Sequence, residues 1–305
     1  IDYVKGHMSV AHKQRYVKDF EHYPTVMAQR FGYKHLHFMD KVETAERMGS
    51  SFYHAGCYDS ETGHIHPLKL VVGTARVAAA NGALLHENSS VVSMRHESGK
   101  TRIETKRGVV TADRVLLAVN AYGSEKLEPV MASHVMPIRS FIGATVPVGD
   151  EVLPGKESVS DTRFMVRYFR KTTHGRLLFG GREAYTADTP DNIDKHIRNQ
   201  ISEIYPALKD TEITHAWGGS VGITMPREPF VREVMPGVTA IGGYSGHGVM
   251  LSNFTGKLYA EAVTGNRDRL KYFRDLDIPA FPGGRRFRKP LLTAALTWYS
   301  MLDKI

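Results

Sequence analysis

The sequence predicts a mixed α/β chain (α+β in part): a partial doubly wound sheet domain joined to an antiparallel-sheet domain. Three observations carry that expectation. An apolar helix at 68–80 leads straight into a strand at 83–87, and 115–119 is an unbroken apolar run, as in a strand covered on both faces. Between 130 and 234, longer strands of alternating polarity surround one helix with a single apolar stripe. A strand at 237–241 then meets a glycine-dense turn that opens another helix.

In chain order, Val10, Tyr16, Val17, Phe20 and Tyr23 predict a helix over 8–31. Asp40 is placed to cap a short helix ending at Met48. Aromatic residues between turn signals predict a strand over 51–58. Pro67 suits the first turn of the 68–80 helix, and Asn81-Gly82 suits its end. That helix is apolar on most sides (Leu68, Leu70, Val71, Val72, Ala75, Val77, Ala78) and is expected to be buried. Strands are predicted at 83–87, 91–94, 101–105 and 114–119, the middle ones a meander inserted in the sheet. Further strands are predicted at 141–146, 164–169 and 176–180. Ile193, Ile197, Ile201 and Ile204 mark the striped helix. Helices at 247–263, ending at Gly265, and at 291–302 complete the chain. The expected organisation is a helical lead-in over 1–50, a partial doubly wound domain over 51–129, an antiparallel sheet with a covering helix over 130–234, and a return to the doubly wound domain over 235–305.

Of 305 residues, 42% are hydrophobic and 24% charged, the balance of an ordinary globular chain. No apolar run reaches the roughly 18–20 residues that span a bilayer, and Cys57 is the only cysteine. A cytoplasmic setting without disulfides is therefore expected, with no membrane partner. The net charge of +8 is scattered apart from the cluster at 285–289, so no nucleic-acid partner is expected. Fifteen histidines show no metal-ligand spacing, and no metal is expected.

The turn Gly243-Tyr244-Ser245-Gly246-His247-Gly248-Val249 carries the chemistry. Glycines there let a flat ligand approach the backbone. The first helical N–H groups lack partners within the helix, and the helix dipole adds positive charge. Such a site stabilises the negative edge of a reduced flavin; a purely structural turn is the other reading.

With Gly256 behind it, this turn resembles the C-terminal flavin-contacting segment of the D-amino-acid-oxidase-like superfamily of FAD-dependent oxidoreductases. Other stretches match in order: 63–70 with His64 and His66, 82–91 ending at Val91, 118–122 with Asn120, and 177–182. The run Phe281-Pro282-Gly283-Gly284-Arg285 is similar to that of γ-glutamylputrescine oxidases. The resemblance covers the chain from about Gly56 onward and implies an FAD enzyme. Its implied cofactor contacts are Val91, Asn120, Gly243, Tyr244, Ser245, Gly246, His247, Gly248 and Val249.

The family's Gly-x-Gly-x-x-Gly unit is not found in these residues, nor is the acidic residue that would hold the ribose. An N-terminally shortened product, lacking on the order of a hundred residues, is the expectation. Such a product would hold FAD weakly. No cysteine occurs over 219–224, so the thioether attachment seen in some relatives is excluded there.

The resemblance implies oxidation of a C–N bond in a small-molecule amine, with hydride passing to flavin N5 and water hydrolysing the imine. His64 and His66 are candidates to orient or deprotonate the amine; His66 alternatively serves the helix start. Tyr244 is a candidate pocket wall, or core. Arg182 and Arg139 are candidates for a substrate carboxylate, or make structural ion pairs. Tyr168 and Trp217 line a pocket or pack in the core. Two other functions stand beside this one: an oxidase of glycine, sarcosine or a D-amino acid, and a non-catalytic remnant unable to hold FAD.

Overall fold

The computed structural model describes residues 1–184, 192–266 and 268–283, the side chains of 182–184 excepted. The expected helix at 291–302, the basic cluster at 285–289 and the side chain of Arg182 lie outside these residues. The chain begins with β1 (Val4–Val10), α1 (Val17–Phe31), β2 (Leu36–Met39), α2 (Lys41–Met48), β3 (Gly56–His64) and α3 (Pro67–Ala80). There follow β4 (Val91–Glu97), β5 (Lys100–Thr105), β6 (Val109–Ala112), β7 (Val115–Leu117), α4 (Pro129–His134) and β8 (Met136–Pro147). The remainder is β9 (Ser158–Asp161), β10 (Tyr168–Lys171), β11 (Arg176–Ala184), α5 (Ile193–Ile204), β12 (Ile213–Ile223), β13 (Phe230–Met235), β14 (Val238–Gly242), α6 (Gly248–Val263) and α7 (Asp268–Arg274). This is a mixed α/β fold, as the sequence predicts.

The described residues form two units. The first takes Ile1–Val77 and Ser140–Gly219. It is organised on a sheet of order β12-β8-β11-β10-β9-β1-β3-β2. Strand side chains alternate between the sheet's faces, and one face is core. Met8, Val10, Phe141, Val159, Phe169, Leu177 and Phe179 pack there against Ile193, Ile197, Ile201 and Ile204 of α5. The isoleucine stripe read from the sequence thus meets the sheet with all four side chains buried. The intervening strand residues, His7, Ser158, Ser160, Tyr168, Arg170 and Leu178, have the opposite parity. Register sets them side by side: His7 opposite Ser158, Ser160 opposite Tyr168, Tyr168 opposite Gly180, and Arg170 opposite Leu178. Behind the sheet, the buried Lys171 ammonium donates to the carbonyls of Gly149 (2.7 Å) and Val152 (3.2 Å), tying down their loop.

The second unit contains Ala78–Arg139 and the described residues from Ser220. Its β4-β5-β6 meander is antiparallel. In the β13-β14-β7 sheet, β14 runs parallel to β7 and antiparallel to β13. Leu117 packs on one core cluster and Leu116 on another, which explains the unbroken apolar run there.

Five expectations are corrected. The strand expected at 164–169 starts only at Tyr168, where pairing with Ser160 and Gly180 begins. Residues 8–10 are strand, because β1 pairs with β3 and β9, and that long-range ladder outweighs local helical spacing. The strand expected at 51–58 starts only at Gly56, where pairing begins. Residues 83–86 form no strand, since no described strand pairs with them, and Leu84 and Leu85 are exposed. Helix α3 is not buried: Leu68, Val71 and Val77 are exposed, because no other described element packs closely along it.

Candidate active site

A cavity of about 730 Å³ lies on the sheet face opposite α5, within the first unit. Its floor is the row described above; His64, His66 and Trp217 are also in its lining. His64 ends β3, and its Nε2 lies 2.9 Å from the Lys156 carbonyl oxygen. A carbonyl only accepts, so Nε2 carries the proton and Nδ1 carries the lone pair. Nδ1 is buried with no hydrogen-bond partner. Burial lowers the His64 pKa, so the neutral ring is favoured near neutral pH. His7 lies between two hydroxyls, with Nδ1 2.8 Å from Ser158 Oγ and Nε2 3.0 Å from Ser160 Oγ. Burial lowers its pKa as well.

His66 does two things at once. It lines the cavity, and its Nδ1 accepts the Lys69 N–H (3.4 Å) in the first turn of α3. Tyr168 lies across Gly180, where a β-carbon would strike its ring, and its hydroxyl is 2.8 Å from Ser140 Oγ. The cavity also takes in Arg170 and Arg176. Arg176 donates to the Thr145 carbonyl and to Thr214 Oγ1, both at 2.9 Å.

In the second unit, the end of β14 enters the glycine turn. Gly243 (φ 68°), Ser245 (φ 50°) and Gly246 (φ 97°) are all left-handed. The Gly243 N–H donates to Asn120 Oδ1 (2.9 Å), and the Ser245 N–H to the Gly222 carbonyl (2.8 Å). On the inner side a β-carbon at Gly243 would come within 2.6 Å of Thr224. On the outer side Gly246 is exposed with open space where a β-carbon would sit. Helix α6 follows with His247 at its N-cap and no side chain capping it. A tightly braced inner side, an open outer side and an uncapped helix start fit the electron-rich edge of a flat cofactor such as FAD.

The structure therefore gathers His64, His66, Tyr168 and Trp217 around one cavity, and Asn120 with 243–249 around one turn. Tyr244 is buried in a core cluster with Val231 and Ile241, its hydroxyl 3.3 Å from Thr255 Oγ1. Arg139 lies on β8 and is not in the cavity lining. Val91 and Val249 are exposed. Sequence reasoning missed His7 and Arg170. His7 was assigned no strand, and the alternation Tyr168-Phe169-Arg170-Lys171, with Phe169 in the core, was the available signal for Arg170.

A model of the family described as FAD dependent oxidoreductase matches residues 1–262. The chain is 60% identical over its whole length to the probable oxidoreductase OrdL of Rhizobium meliloti (strain 1021), covering 71% of that protein. It is 32% identical to the gamma-glutamylputrescine oxidoreductase of Escherichia coli (strain K12), over 91% of this chain and 66% of that one. Its fold is similar to the crystal structure of glycine oxidase from Geobacillus kaustophilus, with a TM-score of 0.76 at 21% identity, covering 92% of this chain and 75% of that one. By the extent of the family match and the level of these identities, the chain belongs to the DAO family of FAD dependent oxidoreductases.

Proposed function

We propose that this protein oxidises a C–N bond in an amine substrate of the γ-glutamylputrescine type, using non-covalent FAD. The observation that carries the reading is the sheet-face cavity with neutral imidazoles on its wall. Its volume falls in the range of ligand pockets, roughly 300–1,000 Å³. When bound, FAD supplies the acceptor for the two electrons leaving the C–N bond. The chain's own residues do the rest. An amine arrives mostly as ammonium, which has no lone pair to assist loss of hydride from the adjacent carbon. The neutral imidazoles of the cavity wall, His7 and His64, are the groups to which that proton passes. Trp217 and Leu178 supply apolar wall for the substrate's methylenes. The backbone of 243–248 with Asn120 behind it would hold the flavin.

The test uses the FAD-loaded protein without oxygen. Addition of γ-glutamylputrescine is expected to bleach the visible flavin band, with glycine, sarcosine and D-alanine acting far more slowly. Faster bleaching by the small amino acids would favour the amino-acid oxidase instead, and no bleaching by any amine would overturn the proposal. His64→Gln keeps a donor for Lys156 but loses the base. It is expected to lower kcat/KM by about 10²-fold and to remove the acid limb of its pH profile.

A further inference from the structure

Arg170 stands apart among the charged groups of the cavity. It projects from β10 on the cavity side of the sheet, while its neighbours Phe169 and Lys171 are buried on the core side. Every other charged side chain in the lining has a partner. Lys69 pairs with Asp2 at 2.7 Å, and Arg176 is held by Thr145 and Thr214. No hydrogen bond or ion pair reaches the Arg170 guanidinium among the described residues. Asp2, the acidic lining group whose charge acts on Arg170, is already paired with Lys69. The lining thus holds Asp2 against Lys69, Arg170 and Arg176, an excess of positive charge. Arg170 is half-buried, and burial lowers its pKa, the mark of a cation partly stripped of water. A guanidinium in that position lacks the compensation that buried charges normally have.

The geometry points to Arg170 as the residue that selects substrates carrying a carboxylate, binding that group through its planar fork of donors. This deepens the proposed amine oxidation and rests on it for the identity of the cavity. The carboxylate completes the missing ion pair, and the amine lies elsewhere in the same cavity. Uncharged amines and simple diamines of equal length leave Arg170 unpaired and bind less well. Arg182 and Arg139, the candidates chosen from sequence, do not take this part: the side chain of Arg182 lies outside the described residues, and Arg139 is not in the lining.

Binding is tested first without turnover, through the fluorescence of Trp217 in the same cavity, with glutarate and its neutral diamide as probes. Trp298→Phe, present in all proteins compared, removes the other tryptophan signal. Wild-type Arg170 is expected to bind glutarate about 10- to 100-fold more tightly than the diamide, the range for a charge-assisted hydrogen-bonded contact. Arg170→Gln is expected to abolish that preference, and Arg170→Lys to keep part of it. Because no hydrogen bond or ion pair holds Arg170 among the described residues, both variants should retain the wild-type circular dichroism and melting temperature. In the FAD-loaded enzyme, Arg170→Gln should raise KM for γ-glutamylputrescine by a similar factor, leave kcat within a few-fold, and leave KM for putrescine unchanged. Retention of the glutarate preference in a folded Arg170→Gln protein overturns this assignment while leaving amine oxidation standing. Absence of flavin bleaching by every amine, with the glutarate preference intact, overturns the proposed reaction and leaves Arg170 as an anion-binding residue.

Discussion

Gly180 has no room for a methyl group, because the ring of Tyr168 already lies over its α-carbon. Gly180→Ala is therefore expected to push Tyr168 into the cavity and away from Ser140. Steady-state kinetics should show KM rising several-fold, while the core-facing Phe179 keeps the strand in place. At Gly243 the constraint is doubled: φ is 68° and Thr224 lies 2.6 Å from where a β-carbon would be. Gly243→Ala is expected to cost about 1–2 kcal/mol and to weaken FAD binding, which equilibrium titration of the flavin absorbance would register. A similar substitution at Gly246 meets no neighbour, so only its φ of 97° opposes it. Comparing the two separates crowding from conformational strain. The need for glycine at 243 was legible as a pattern, but its cause was not. Thr224 and Asn120 are distant in the chain, and only the fold brings them to the turn.

At the scale of elements, α5 and α2 illustrate two kinds of sequence signal. The isoleucines of α5 recur at helical spacing and all four are buried, so the helix and its inward face were both readable. Ile201, fully buried, is expected to cost about 2–5 kcal/mol on change to alanine, seen as a lower urea midpoint. Asp40 accepts the N–H groups of Val42 (2.8 Å) and Glu43 (2.9 Å), as its capping role requires. Asp40→Ala should cost only about 1 kcal/mol. The strand β1 shows the opposite case. Its Val10 fitted a helical spacing with Tyr16 and Val17, but its backbone groups are committed to β3 and β9, which lie far along the chain. Helix α3 shows a third: its apolar composition spoke correctly for a helix and wrongly for burial, because burial depends on a partner surface that periodicity does not specify.

For the whole molecule, protonation of the cavity histidines links its chemistry to its stability. Burial depresses the pKa of His7, with Asp59 opposing and His64 reinforcing the effect, and burial also depresses that of His64. In the unfolded chain both rings titrate near ~6.5. The folded state binds fewer protons than the unfolded state once the pH falls below that value, so stability is full above it and declines as pH drops through the folded pKa values. Urea midpoints are expected to fall between pH 7 and pH 5. The double variant His7→Gln, His64→Gln should flatten that slope; an unchanged slope would mean that other groups set it.

The family, the α/β class, the striped helix, the capped helix and the glycine turn are all legible along the chain, because each is written in local spacing or in an ordered series of short motifs. The cavity is not, and arises only when the chain folds. Its wall is made of residues from β1, β3, β8, β9, β10, β11, β12 and the start of α3, which carry no common spacing. His7 gained its serine partners, and Arg170 has none among the described residues, through strand register across the sheet. Alternation tells which residues share a face; pairing of distant strands decides which of them meet.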